Sequence, residues 1–79
     1  MKEDILDNQV IIFAAPNCKK CKILTSKLTE RKIAFRVQYV DEELVIQLIQ
    51  EGFVETPVMQ VNGSRMSFSD SIKWIRSLA

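Results

Sequence analysis

The feature that most constrains the fold is a pair of cysteines placed directly after a short apolar run. Cys18 and Cys21 are the only cysteines in the chain, and Pro16 and Asn17 separate them from the run Val10–Ala15. A continuous apolar run rich in β-branched residues is typical of a central strand that is covered on both faces. The residues after Cys18 have the apolar spacing of an amphipathic helix. The stretch therefore predicts a strand, a turn and a helix, with the first cysteine at the helix N-terminus.

The remaining apolar segments predict an α/β fold with the element order β-α-β-α-β-β-α. After the first strand we expect a helix over Lys19–Lys32, a strand over Ala34–Val40, a helix over about 42–51, strands over Val58–Val61 and 64–67, and a last helix capped by Ser69-Asp70. A right-handed crossover makes the first two strands parallel. The Asn62-Gly63 pair predicts a hairpin that adds two antiparallel strands. The result is a mixed four-stranded sheet flanked by helices, as a single domain over residues 1–79 with a loose start over 1–8.

Local signals refine these elements. Asp41 is a good N-cap for the second helix, and Gly52 suits the position just beyond its end. On the first helix, Ile23, Leu24 and Leu28 lie at helical spacing from Cys21, which predicts one apolar face. In the second strand, the alternation of Phe35, Val37 and Tyr39 places these three side chains on one face. Trp74 is interpreted as a core residue of the last helix.

Charge argues against nucleic acid and membranes as partners. The net charge is +1, and the apolar content of 47% is that of a globular protein. The charge is unevenly spread, with seven basic residues and one acidic residue over 19–36, and five acids and no base over 41–55. Two interpretations stay open, namely two solvated helix faces or a basic surface that steers an acidic partner.

Cysteine usage indicates a reducing compartment. Two cysteines are too few for a disulfide-stapled secreted scaffold, and no signal peptide or membrane span is visible. We therefore expect a cytoplasmic protein, and we expect a monomer.

The predicted position of Cys18 gives it a distinct chemistry. Helix N-terminal amides and the helix dipole favour a thiolate, and Lys19, Lys20 and Lys22 add positive charge nearby. An unperturbed thiol has a pKa of ~8.5, and such settings lower it to ~3.5–7.5. Cys18 is thus the expected nucleophile. Cys21, one turn further along and less exposed, is placed to resolve a mixed disulfide formed at Cys18.

The cysteine pair has two other interpretations, a structural disulfide and a metal site. A purely structural disulfide would close a very short loop and would be reduced in the cytoplasm. A zinc site needs four ligands, and the chain has two thiols and no histidine. A thiolate metal or iron–sulfur cluster carrier would therefore need a second copy of the chain or an exogenous thiol. This alternative stays open, with no metal ligand assigned within one chain.

Thr56-Pro57 is the second informative position. A proline that opens a strand is structurally ordinary, because it lacks an N–H. The functional interpretation is a cis proline packed beside the cysteines, which leaves the backbone of Thr56 free to pair with an extended substrate.

Together these motifs resemble the glutaredoxin family of the thioredoxin fold. The resemblance covers about Val10 to Leu78 and rests on four motifs: the turn Ala15-Pro16-Asn17-Cys18-Lys19-Lys20-Cys21, the pair Thr56-Pro57, the hairpin Val61-Asn62-Gly63, and Ser69-Asp70. The resemblance implies that Cys18 attacks and Cys21 resolves, that Pro57 is the cis proline, and that Thr56 binds a substrate thiol. It also places Ser69 and Asp70 where glutaredoxins hold the γ-glutamyl end of glutathione. Lys20, between the cysteines, is a further candidate binding residue.

The chain also differs from typical glutaredoxins at several positions. Lys19-Lys20 stand where these proteins carry Pro-Tyr, Ala15 stands where they commonly carry lysine, and Glu55 would oppose a glutathione carboxylate. These differences make the chain similar to the glutaredoxin-like hydrogen donors of ribonucleotide reductase, which are reduced by thioredoxin reductase. We therefore expect an enzyme, a thiol–disulfide oxidoreductase that reduces protein disulfides. We expect it to hold no tightly bound cofactor and to be reduced by glutathione or thioredoxin reductase.

Overall fold

The computed structural model describes residues 10–78, and the loose start expected over residues 1–8 lies outside the described residues. The elements are β1 (Val10–Ala14), α1 (Lys19–Glu30), β2 (Arg36–Tyr39), α2 (Glu42–Gln50), β3 (Val58–Val61), β4 (Ser64–Met66) and α3 (Phe68–Ser77). Their order is the predicted β-α-β-α-β-β-α.

The strands form one four-stranded mixed sheet in the order β2-β1-β3-β4. β1 pairs in parallel with β2 and antiparallel with β3, and β3 pairs antiparallel with β4. Asn62 and Gly63 close the β3–β4 hairpin with φ angles of 51° and 87°, which confirms the predicted turn. The predicted α/β class and mixed sheet are thus confirmed, with β1 in the interior of the sheet and β2 and β4 at its edges.

Helices cover both faces of the sheet. α1 and α3 share one cluster with the β1 residues Val10, Ile12 and Ala14, whereas α2 packs through Leu48 against Phe13 and Val58 on the other face. Ile12, Leu24, Leu28 and Met59 are fully buried. Truncating one of these large side chains to alanine would cost about 2–5 kcal/mol of stability, because a close-packed core cannot fill the hole. This core holds the C-terminal end of β1, and therefore the cysteines, in place.

Two capping predictions had different outcomes. Asp41 caps α2 as expected, since its side chain accepts a 2.9 Å hydrogen bond from the Leu44 amide. The predicted Ser69-Asp70 cap of the last helix is wrong: α3 begins at Phe68 with Ser67 as its N-cap. The Ser67 hydroxyl accepts a 3.2 Å hydrogen bond from the Asp70 amide. The residues Ser67 to Asp70 match the Ser-x-x-Asp spacing of a capping box, which explains the earlier start.

The predicted shared face of Phe35, Val37 and Tyr39 is confirmed, whereas Ile23 differs from expectation. Ile23 is 46% exposed, because Cys21, Leu24 and Leu28 already form the buried face of α1 and Ile23 lies to one side of it. In β2, Phe35 precedes the strand and packs on the core, but Val37 and Tyr39 are 43% and 65% exposed. The sheet ends at β2, so nothing among the described residues covers these two side chains.

Candidate active site at the cysteine pair

Cys18 and Cys21 lie at the junction between β1 and α1. Cys18 is the N-cap of α1 in extended backbone conformation, and Asn17 before it has a φ of 58°. An asparagine tolerates this left-handed conformation better than most residues, so the chain can turn sharply between strand and helix. Cys21 follows within the first turn of the helix. The two residues form a disulfide, with their Cα atoms 5.2 Å apart.

The two sulfur atoms have unequal surroundings. Cys21 is only 6% exposed and belongs to the main core cluster, whereas Cys18 is half-buried at the rim. The Cys18 sulfur accepts a 3.1 Å hydrogen bond from the Cys21 amide, in the position that a serine or aspartate oxygen occupies in an ordinary N-cap. The same amide, with the positive end of the helix dipole, would stabilise a thiolate at Cys18. The predicted division between an exposed and a protected cysteine is confirmed in position.

The first turn of α1 carries no acidic residue and three lysines: Lys19, Lys20 and Lys22. Cations at a helix N-terminus oppose the helix dipole at a cost of roughly 0.3–1 kcal/mol each. This arrangement is unfavourable for the helix alone. It becomes favourable when the N-cap sulfur carries a negative charge.

Thr56 lies against Cys18, and the proline that follows it is in the predicted cis conformation. The Thr56–Pro57 peptide bond is cis, and Pro57 is fully buried at the start of β3. The Thr56 hydroxyl donates a 3.6 Å hydrogen bond to the Cys18 sulfur. Thr56 thus touches the reactive group through its side chain, whereas its predicted backbone pairing with a substrate stays a prediction.

Glu55, the residue before Thr56, pairs with a lysine of the cysteine loop. Lys20 Nζ lies 3.3 Å from Glu55 Oε1, and it also lies over the ring of Phe68 at 5.6 Å from the centroid. Both charged side chains are about half exposed or more, at 49% and 64%, so the pair adds little to stability. The pair matters more for ligand binding, because the positive charge of Lys20 is already offset by the Glu55 carboxylate and is less available to an anionic ligand.

Two clefts adjoin the segment that carries the cysteines, one lined by Cys18 and Cys21 and the other by Lys20 between them. The first, which we name the β2-side cleft, has a volume of about 360 Å³ and extends from Cys18 and Cys21 to the exposed edge strand. Its other lining residues are Ala14, Ala15, Asn17, Lys22, Thr25, Phe35, Val37 and Tyr39. Its floor is largely apolar, and among the residues that the structure describes the only charged one that lines it is Lys22.

The second, which we name the α3-side cleft, has a volume of about 310 Å³. Its lining residues are Lys20, Gly52, Phe53, Val54, Glu55, Ser67, Phe68 and Ser69. The Lys20–Glu55 pair therefore lies in its wall. The two clefts meet the cysteine loop from different directions and present different chemistry to a ligand.

The predicted binding residues are distributed unequally between these clefts. Lys20 and Ser69 both line the α3-side cleft, while Asp70 is exposed in the first turn of α3 and does not line it. The Asp70 amide is occupied by the Ser67 cap. The binding roles of Lys20, Thr56, Pro57, Ser69 and Asp70 remain predictions.

Sequence reasoning gave no role to Tyr39 and Phe68, and it did not find the partner of Glu55. Tyr39 lines the β2-side cleft, and Phe68 lies under the Lys20 ammonium group. The Lys20–Glu55 contact joins residues 35 positions apart, so no local pattern could indicate it. The predicted parallel pairing of the first two strands was the one signal that could have placed the tyrosine near the cysteines, because Tyr39 ends β2 and lies beside Ala14 at the end of β1.

No group of three or more histidine, cysteine, aspartate or glutamate side chains suitable for a metal occurs within residues 10–78. A metal or cluster carried by the two thiols would need further ligands from elsewhere, so that alternative remains a hypothesis. In the same range, no helix has the length and apolar character required to cross a membrane.

Comparison with known proteins gives a consistent family. No protein-family model matches the chain. The glutaredoxin-like protein NrdH of Lactococcus lactis subsp. cremoris (strain MG1363) is 36% identical over 52 residues, which cover 63% of this chain and 72% of the relative. The NrdH of Lactococcus lactis subsp. lactis (strain IL1403) matches with the same identity and coverage. With the fold and the cysteine pair described above, this similarity shows that the chain belongs to the glutaredoxin family, where it is similar to the glutaredoxin-like NrdH proteins.

Proposed function

We propose that the protein is a dithiol–disulfide oxidoreductase that reduces disulfides in partner proteins. The observation that carries this proposal is the asymmetry of the cysteine pair. Cys18 is accessible at a helix N-terminus with a hydroxyl and an amide directed at its sulfur, and Cys21 is buried one turn behind it. This is the arrangement that an attacking and a resolving thiol require.

The reaction balances over two exchange steps. The Cys18 thiolate attacks one sulfur of the target disulfide, which forms a mixed disulfide and releases the other target sulfur as a thiolate. The Cys21 thiolate then attacks the Cys18 sulfur, which forms the Cys18–Cys21 disulfide and releases the second target sulfur. The target gains two electrons and, from solvent, two protons, while this protein loses the same number.

The reductant that regenerates the dithiol is proposed to be thioredoxin reductase rather than glutathione. Glutathione carries two carboxylates, and the α3-side cleft presents the Glu55 carboxylate to them. Lys20, the lysine in that wall, already lies beside Glu55. Ala15 offers no cation at the position where glutaredoxins commonly have one. A negatively charged tripeptide therefore finds a poor site here, whereas a protein reductant need only present thiolates to the disulfide.

The natural target is proposed to be a ribonucleotide reductase. Support comes from the resemblance to the glutaredoxin-like hydrogen donors of that enzyme and from the similarity to the NrdH proteins. Because the site is small and exposed, it suits a target disulfide that lies on an extended segment better than one that lies deep in a pocket of the target.

The experiment is a coupled assay in which the reduction of insulin disulfides is measured by the consumption of NADPH. One arm contains thioredoxin reductase, and the other contains glutathione with glutathione reductase. We expect turnover in the first arm and much slower turnover in the second. A second assay then tests the target. It measures whether ribonucleotide reductase turns over when its electrons come only from NADPH through thioredoxin reductase and this protein.

The Cys18→Ser variant is the control for the chemistry, and it should reduce activity in both arms to the uncatalysed background. Activity that persists in this variant would overturn the proposal. Faster turnover with glutathione than with thioredoxin reductase would overturn the choice of reductant and leave the dithiol mechanism intact.

A further inference from the structure

The exposed edge strand β2 lies next to the cysteines, and the backbone groups on its outer side have no hydrogen-bond partner among residues 10–78. The Val40 amide donates a 3.0 Å hydrogen bond to the Ala14 carbonyl, so the backbone groups of Val40 face β1. Successive residues of a strand direct their backbone groups to opposite sides. The amides and carbonyls of Val37 and Tyr39 therefore point away from β1, toward the open edge of the sheet.

The same two residues line the β2-side cleft with their side chains. In the β1–β2 register, Val37 lies beside Ile12 and Tyr39 beside Ala14. Ile12 and Ala14 belong to the cluster on the α1 face, so the side chains of Val37 and Tyr39 lie on that face too. Backbone donors and acceptors and an apolar cleft floor thus converge at one edge, and the cleft continues to Cys18.

The other edge strand of the sheet, β4, is less open to pairing with an added strand. β4 has only three residues, and its central residue Arg65 is held by Gln60 and Glu51, each at 2.9 Å. Short strands and charged side chains are the usual protection of an edge against pairing. β2 is one residue longer, and beyond Arg36 at its start it carries an exposed valine and an exposed tyrosine, so this edge is better suited to strand addition.

Charge indicates what would dock there. Lys22 lines the cleft, Lys19 is exposed at the start of the same helix, and Arg36 opens β2. The acids at residues 41–43 begin α2, which packs on the opposite face of the sheet. A second copy of this chain would bring the same cations together and would be repelled.

We propose that β2 is a docking edge for an extended, acidic segment of a protein partner. The segment pairs as a fifth strand with the outward backbone groups of Val37 and Tyr39, and it places an apolar side chain in the β2-side cleft beside Cys18. The inference rests on the proposed function only in explaining why a partner approaches the cysteines. Binding is therefore measured without any disulfide chemistry.

The probe is a blocked synthetic peptide of about ten residues, a common strand length. It alternates glutamate with valine or threonine, contains one phenylalanine and has no cysteine. A matched peptide has lysine in place of each glutamate. Isothermal titration against the oxidised protein at low salt should show tighter binding of the acidic peptide, by tenfold or more, and this preference should shrink as salt is added.

Two variants of Val37 distinguish the contribution of its backbone to peptide binding from that of its side chain. Val37→Pro removes the outward N–H and leaves the β1–β2 ladder intact, since that amide does not face β1. We expect it to weaken binding of the acidic peptide at least tenfold, while Val37→Ala weakens it by threefold or less. The insulin reduction assay, run in parallel, shows separately whether the oxidoreductase proposal holds.

Hydrogen exchange on the unmodified protein gives an independent readout if Val37→Pro does not fold. The bound acidic peptide should slow exchange of the Val37 and Tyr39 amides, and the amides of β4 should be unaffected. Binding without protection at these amides, equal binding of the acidic and lysine peptides, or dimerisation through β2 would each overturn the proposal.

Discussion

The two clefts beside the cysteine pair differ in how their charges are arranged. In the α3-side cleft, Lys20 and Glu55 lie 3.3 Å apart, so cation and carboxylate offset each other. In the β2-side cleft, Lys22 is the one charged lining residue among those the structure describes, and the rest of the lining is largely apolar. One side therefore offers little to a small anion, and the other suits an apolar chain that carries negative charge. Under the proposed function, this difference would favour protein substrates over glutathione without any change in the cysteines themselves.

A disulfide that approaches through either cleft must react with the same cysteine pair, so the largest expected effect comes from the cysteines. Cys18→Ser should abolish reduction of insulin and of a small disulfide such as cystamine alike, because the attacking sulfur is lost. NADPH consumption with thioredoxin reductase measures both. A variant that loses only one of the two substrates would show that Cys18 is not the attacking group for the other.

The second effect concerns the β2-side cleft alone. Lys22→Glu reverses the charge that lines it and should slow reduction of an acidic peptide disulfide by about tenfold more, at low salt, than reduction of the uncharged 2-hydroxyethyl disulfide, which reports the effect on the thiolate alone. Lys27→Glu is the matched control, because Lys27 is exposed on the same helix but does not line this cleft. Equal slowing by both variants would attribute the effect to net charge rather than to the cleft.

A third, smaller effect should slow the reaction of Cys18 with every substrate, whichever cleft the substrate occupies. Thr56→Val removes the hydroxyl that donates to the Cys18 sulfur and should cost about 1 kcal/mol of thiolate stabilisation, or about fivefold in the rate of attack at neutral pH. Thr56→Ser should restore the rate. Alkylation of the reduced protein by iodoacetamide measures this directly, and an unchanged alkylation rate in Thr56→Val would show that the hydrogen bond is unimportant in the dithiol form.

The smallest effect is expected in the α3-side cleft. Glu55→Gln removes the carboxylate that opposes glutathione and frees Lys20, so the glutathione-dependent rate should rise by about two- to fivefold. Glu43→Gln, which removes one charge from α2, is the control. If Glu55→Gln leaves the glutathione rate unchanged, the charge pair does not decide the choice of reductant.

Local patterns predicted the framework of this site and missed its connections. The turn at Asn62-Gly63, the Asp41 cap and the position of Cys18 all follow from residues a few positions apart, and all were predicted. The start of α3 was misplaced because Ser67 and Ser69 are both plausible caps, and only the spacing from Ser67 to Asp70 distinguishes them.

The contacts that distinguish the two clefts depend on tertiary packing. Lys20 meets Glu55 only because the loop before β3 folds back onto the start of α1. Tyr39 reaches the cysteine site only because β2 lies parallel to β1 at the edge of the sheet. Neither arrangement has a signature within a short window of sequence, so the chain indicated the chemistry of the thiols but not the surfaces around them.

The central claim is that Cys18 attacks and Cys21 resolves, and one trapping experiment tests it most directly. The Cys21→Ser variant in reduced form is mixed with oxidised insulin, quenched with acid and digested, and the cross-linked peptides are identified by mass spectrometry. The account predicts a stable mixed disulfide between an insulin cysteine and Cys18, and no adduct in the Cys18→Ser variant. Accumulation of an insulin adduct on Cys21 in the Cys18→Ser variant, with none on Cys18 in the Cys21→Ser variant, would contradict it.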